Sequence, residues 1–162
     1  MALTSEGFTV ENARKKVDLF EKDLEQMVAN PAAQRLINID VEYTPTELRD
    51  LLQHFGSYLA TLDALQGKME AECHLLQKGL KTGIAVSIAS KKPKTGTISG
   101  DEAEILLASA NLRSLKKMEI ENEACLLLLK GWIKAYTDAY TAVSRIISIE
   151  LGEVSLQTGR HS

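Results

Sequence analysis

One stretch of about 45 residues limits this chain's folding options more than anything else in it. At Thr44-Pro45-Thr46-Glu47 three helix-start signals coincide. Threonine caps, proline suits the first helical position, and a glutamate at the third position reaches back to the cap. From there Leu48, Leu52, Phe55, Leu59, Leu62, Met69, Cys73, Leu76 and Leu80 recur at spacings near 3.5, interrupted around Gln66. That cadence predicts one helix over 45–90, coiled-coil-like in its apolar seam.

A second long helix follows after a break. Residues 91–99, beginning Lys91-Lys92-Pro93-Lys94, form a basic turn rich in small polar residues, and Ser99-Gly100-Asp101-Glu102 repeats the capping pattern. The spacing then predicts a helix over 100–151, with Ile105, Ala108, Leu112, Leu115, Leu126, Leu129, Ile133, Tyr136, Tyr140, Val143 and Ile147 on one stripe. Glu119 and Asn122 alone break that stripe. Thr9, Glu11 and apolar residues from Val17 to Val28 mark a shorter helix over 9–29, stopped at Asn30-Pro31, and residues 152–162 read as a tail. The expected fold is all-α: an N-terminal helix and a long antiparallel helical hairpin in a single domain, 1–162.

Two long helices joined by a short turn fold back on each other. With the turn centred near residue 95, facing positions sum to about 190, which opposes Phe55 to Ala135 and Tyr58 to Trp132 and gathers Phe55, Tyr58, Trp132 and Tyr136 into one aromatic cluster. The same register puts Glu70 and Glu72 at the level of Lys116 and Lys117. Glycines 56, 67, 79, 83 and 131 each cost a helix interior about 1 kcal/mol against alanine. Apolar residues off the seam (Leu51, Leu75, Ile84, Ile88, Leu106, Leu107, Leu127, Leu128 and Ile146) exceed what one hairpin covers, which predicts a homo-oligomer.

The composition argues against most chemistry. Cys73 and Cys125 both sit in apolar helical stretches, and Cys73 and His74 are adjacent, so they point about 100° apart on a helix. Glu70 lies one turn before His74, but a third metal ligand is missing from the pattern. The chain contains no phosphate-cradling glycine loop and no familiar hydrolase motif. Neither catalytic residues nor a metal or cofactor is expected. The longest apolar run, Ala124 to Leu129, is far short of the roughly 20 residues that cross a bilayer, and the first residues lack the order of a secretion signal, so a cytoplasmic protein without membrane contact is expected.

Charge is distributed unevenly. The net charge is −3. Yet from Lys78 to Lys117 eight positive residues (Lys78, Lys81, Lys91, Lys92, Lys94, Arg113, Lys116, Lys117) face three negative ones (Asp101, Glu102, Glu104), a local +5 that leaves −8 elsewhere. In a hairpin these positives converge on the tip, which an oligomer would repeat into a surface for a phosphate backbone. No aromatic residue lies between Tyr58 and Trp132, so contact there is electrostatic and independent of base sequence. The plainer reading is a solvated turn whose lysines pair with neighbouring carboxylates.

The order of parts resembles the phage recombination mediator proteins of the UvsY type. The likeness spans roughly residues 45–150 and is carried by the lysine-containing approach to the turn (QKGLKTGIAVSIASKKPKTG), the acidic restart (ISGDEAEILLASANLRSLKK) and the aromatic-to-arginine stretch from Trp132 to Arg145. The resemblance implies a non-enzymatic, ring-like homo-oligomer in the host cytoplasm. It would bind single-stranded DNA, remodel a single-strand-binding protein and help load a strand-exchange recombinase. It places DNA contacts on basic side chains of the helix before the turn, where Lys78 and Lys81 are the nearest positions. Lys91, Lys92, Lys94 and Arg113 join them by charge. The alternative is a helical-hairpin structural or adaptor protein, such as a phage morphogenesis component, using its apolar seam for protein contacts alone.

Overall fold

The computed structural model of the chain describes residues 10–27, 43–91 and 97–158. Among these the regular structure is entirely helical: α1 (Val10–Met27), α2 (Pro45–Lys91), α3 (Ile98–Ala108) and α4 (Ala110–Thr158). They belong to two compact units, one taking Met1–Glu21 with Gln66–Leu128, the other Lys22–Leu65 with Leu129–Ser162. Each contains a length of α2 and a length of α4.

In the second of these units α2 begins as the sequence predicts. The Glu47 amide donates to Thr44 Oγ1 at 3.3 Å, while the Thr44 amide and hydroxyl both donate to Glu47 Oε2 at 2.8 Å. This reciprocal box satisfies amides that the first turn leaves without helical partners. One turn on, Leu48, Leu51 and Phe55 are buried with Val143 of α4, and Tyr136, Ala139, Tyr140 and Ile147 pack against them. Leu51, expected off the seam, is only 4% exposed and belongs to this core. The buried stripe here is therefore three residues wide per two turns, as a globular helix requires.

The aromatic cluster forms in the same unit, with Tyr136 at its centre. Its ring lies 5.6 Å from Phe55, 6.1 Å from Tyr58 and 6.1 Å from Trp132, at tilted or edge-on angles that suit aromatic quadrupoles. Burial, with Tyr58 nearby, raises the Tyr136 phenol above its usual pKa. α2 and α4 are antiparallel here, with Phe55 meeting Tyr136 rather than Ala135. A Cβ on Gly56 would lie at van der Waals distance, 3.8 Å, from the Tyr140 ring.

The other unit holds the continuation of α2, all of α3 and the first part of α4. Its core contains Met69, Cys73, Leu80, Ile105, Leu112 and Cys125. Gln77 of α2 donates to Glu123 of α4 at 2.8 Å while Gly83, further along α2, lies against Leu112, earlier on α4, so these helices are antiparallel in this unit too. A Cβ built on Gly83 would come within 2.6 Å of Leu112 Cδ2, so this glycine makes room for the leucine. Helix α1 reaches α4 through Lys16, whose ammonium donates to Glu121 Oε2 at 3.3 Å and Asn122 Oδ1 at 3.1 Å. Asn122, which breaks the apolar stripe, thus receives the N-terminal helix.

Two boundaries differ from the sequence reading. The helix expected over 100–151 starts earlier, capped by Thr97, whose hydroxyl accepts from the Gly100 amide at 3.2 Å. It then breaks at Ser109, where the backbone is extended (φ −113°, ψ 111°). Serine competes for backbone donors and is a preferred cap. Its hydroxyl accepts from the Leu112 amide at 3.4 Å to restart the helix as α4. At the far end α4 continues to Thr158 where the sequence suggested a tail from 152. Gly152 costs helicity, but no proline follows to stop it.

The glycine environments separate two expectations. At Gly67 and Gly131 an added Cβ would meet nothing within 4 Å. Gly67→Ala and Gly131→Ala should each raise unfolding free energy by up to about 1 kcal/mol from helix propensity. Gly83→Ala should gain less or lose outright, because Leu112 must move. Urea unfolding followed by circular dichroism measures all three.

Candidate nucleic-acid interface

The basic residues singled out by charge are not equivalent. Lys78 and Lys81 lie three residues apart on α2, both exposed, and helix geometry separates them by about 60° around the axis. They can therefore present charge along one flank of the helix. Lys91 is the last residue of α2, and Lys92 and Lys94 lie outside the described residues. Arg113 is exposed at the start of α4, and its Nη1 donates to the Leu107 carbonyl across the helix break at Ser109. That carbonyl belongs to the last turn of α3, which has no helical donor for it, so Arg113 serves as a C-terminal cap as well as a surface charge.

Lys116 and Lys117 are engaged along their own helix. Lys116 pairs with Glu119, and Lys117 lies 3.7 Å from Glu121. These are local contacts at three and four residues along α4. A lysine finds such partners without any tertiary constraint. Both lysines are thereby part-neutralised, and the basic surplus of this stretch rests on fewer side chains than its sequence count implies.

Glu119 is buried although charged, 6% exposed. Its pairing with Lys116 supplies the compensation a buried carboxylate demands. The two residues line a groove of about 610 Å³ together with Lys81 and Glu102, and its remaining wall includes Leu80 and Ile84. Two cations and two carboxylates leave the groove electrically mixed, unlike an anion cradle. A phosphate chain is better served by the exposed Lys78 and Lys81, the second of which also lines the groove, than by the Lys116–Glu119 pair. Spacing alone does not reveal that Glu119 is buried while its neighbours Glu121 and Glu123 are only part-buried, because all three sit within one turn and a half of α4.

Among the described residues no group of three or more histidine, cysteine or acidic side chains is arranged to hold a metal ion. Both cysteines are buried and free. Burial pushes the Cys73 thiol up in pKa, and Glu123, Glu72, Glu119 and Glu70 add to the shift. Burial likewise raises Cys125, opposed by the Lys16 ammonium and reinforced by Glu121 and Cys73. Thiols held protonated in this way are poor nucleophiles. No described helix is long and apolar enough to cross a membrane.

Neither a family model, nor a curated protein, nor a solved structure matches this chain.

The raised thiol pKa values set an expectation for reactivity and for stability. Ellman's reagent at pH 8 should modify the folded protein far more slowly than the urea-unfolded chain. Because the folded-state values lie above the unfolded ones, the contribution of the neutral thiols to stability is complete below the unfolded thiol pKa and declines as pH rises through the folded values. Equal labelling rates in the folded and unfolded states would contradict the buried, protonated assignment.

Proposed function

We propose that the protein is a non-enzymatic, homo-oligomeric binder of single-stranded DNA, of the kind that assists recombinase loading. The observation that carries this reading is the pair Lys78 and Lys81, exposed on α2 within the stretch whose charge is +5 in a chain of net charge −3. Such segregation creates a local positive field on an acidic molecule. A single strand is the fitting partner because its phosphates can follow a helix flank, and no aromatic residue between Tyr58 and Trp132 offers a stacking platform for base readout. Binding is then non-specific and salt-sensitive. A single-strand-binding protein and a recombinase are the partners that this role implies.

Self-association is the second element of the proposal. Leu75, Val86 and Leu127 are 67%, 63% and 73% exposed. Side chains of this size are ordinarily covered when they recur along helices already supplied with a core, and copies of the same chain are the simplest cover.

The adaptor reading has its own support in the ion pairs of Lys116 and Lys117, which lower the charge available to DNA. One titration separates the two. Fluorescence polarisation of labelled oligo-dT across a salt series should give a linear fall of log affinity with log salt, steeper by about 0.7 for each phosphate neutralised. Replacing Lys91, Lys92 and Lys94 with alanine should flatten that slope by up to about 2, and Lys78→Ala with Lys81→Ala by up to about 1.4, without changing the mass in light scattering. A parent protein that binds no oligo-dT at about 50 mM salt, where screening is weak, would establish the adaptor role instead.

A further inference from the structure

Helix α4 carries a second helical stripe besides the one that meets α2. Ala135, Asp138, Ala142, Arg145 and Ile149 recur at alternating spacings of three and four, and Ile146 flanks them. At 3.6 residues per turn these six fall within an arc of about 100°, separate from the face where Tyr136, Val143 and Ile147 join the core with α2. All six are exposed, Ile146 and Ile149 to 44% and 62%. Alternating threes and fours mark a seam between two packed helices, and a solvated helix face has no need of them.

We propose that this stripe is a two-fold contact between copies of the chain, with α4 of one packed antiparallel on α4 of the other and Asp138 and Arg145 exchanged across the axis. The charges carry the choice of a second copy. Asp138 and Arg145 stand seven residues, about 10 Å, apart along the stripe, too far to bridge within one helix. Neither makes an ion pair among the described residues. Turned end for end, the stripe presents an arginine where it had an aspartate. An axis at residues 141–142 sets Asp138 level with the partner's Arg145, and Arg145 level with the partner's Asp138.

The apolar residues obey the same axis. Ile149 comes level with the partner's Ala135, so a large side chain meets a small one at each end of the contact. Ala142 falls at the axis and faces its own copy, where a small side chain permits close approach. A surface complementary to itself under a two-fold rotation is what an isologous interface requires. Such a contact presupposes the homo-oligomer of the proposed function and supplies one surface and a symmetry for it.

Single cysteines in the full chain test the register. Ala142→Cys, oxidised by air with copper phenanthroline, should give a dimer on a non-reducing gel that dithiothreitol cleaves. Ala135→Cys, about 20 Å from its own copy in this register, should not. The parent, whose Cys73 and Cys125 are buried, gives the background. Charge reversal tests the pairing. Asp138→Arg and Arg145→Asp should each lower the mass in light scattering to half the parent's or less at equal concentration. The double variant, with the parent's net charge, should restore it. Circular dichroism, expected unchanged at these exposed positions, separates lost association from lost folding. Three results overturn the contact and leave the homo-oligomer to another surface: an oligomeric Ala142→Cys chain that forms no crosslink, an Ala135→Cys chain that crosslinks equally, or a double reversal as small as the single ones. A parent with the mass of one chain at micromolar concentration overturns the contact and the homo-oligomer together.

Discussion

A helix of 47 residues and another of 49 cannot stand in water on propensity alone, and what holds them is the apolar seam each offers the other. The seam is not uniform. In one unit it is bulky and aromatic, with Phe55, Leu48 and Leu51 against Val143 and the Tyr136 ring. In the other it is aliphatic and sulfur-bearing, with Met69, Cys73, Leu80 and Leu112 buried and Gly83 giving way to a leucine. This unit also buries a carboxylate, Glu119, at a position that an all-apolar stripe would have filled.

That carboxylate links the fold to the surface chemistry. Because Glu119 is buried, it needs a cation, and Lys116 is committed to it. Lys117 turns to Glu121, which also receives Lys16 of α1. A chain of charge pairs thus runs from the basic stretch to the N-terminal helix, and it consumes positive charge that the sequence alone assigns to a tip. What remains outward is Lys78 and Lys81 on α2 and, beyond its hydrogen bond to Leu107, Arg113 on α4. The positive surface of this unit therefore belongs mainly to α2.

Much of the fold is legible in the sequence because its determinants are local or periodic. The Thr44–Glu47 box is a contact between residues three apart, and the sequence names both partners. The meeting of Phe55, Tyr58, Trp132 and Tyr136 follows from turn position and rise per residue, with a displacement of a few residues that a turn of unspecified geometry leaves open. The break at Ser109 is less legible. Ser109-Ala110-Asn111 contains no proline or glycine, and a serine inside a helical pattern is common, so only the capping hydrogen bond to Leu112 reveals that it ends one helix and starts another. Likewise Thr97 and Ser99 are equally good caps by composition, and the choice of Thr97 lies in backbone geometry.

The site is harder to read than the fold for a physical reason. Counting charges along a sequence treats every lysine as solvated, whereas a lysine's contribution to a field depends on the carboxylates within a few ångströms of it. On α4 four acidic or amide residues, Glu119, Glu121, Asn122 and Glu123, sit within five positions, and each has a different partner set: Lys116, then Lys16 with Lys117, then Lys16, then Gln77. Helical rotation of 100° per residue sends them to different neighbours, so one short polar run becomes a buried pair, a docking point for α1 and a bridge to α2 at once. The polar interruption of the stripe is therefore where three helices are joined. Lys78 and Lys81 lie outside that junction, exposed on α2.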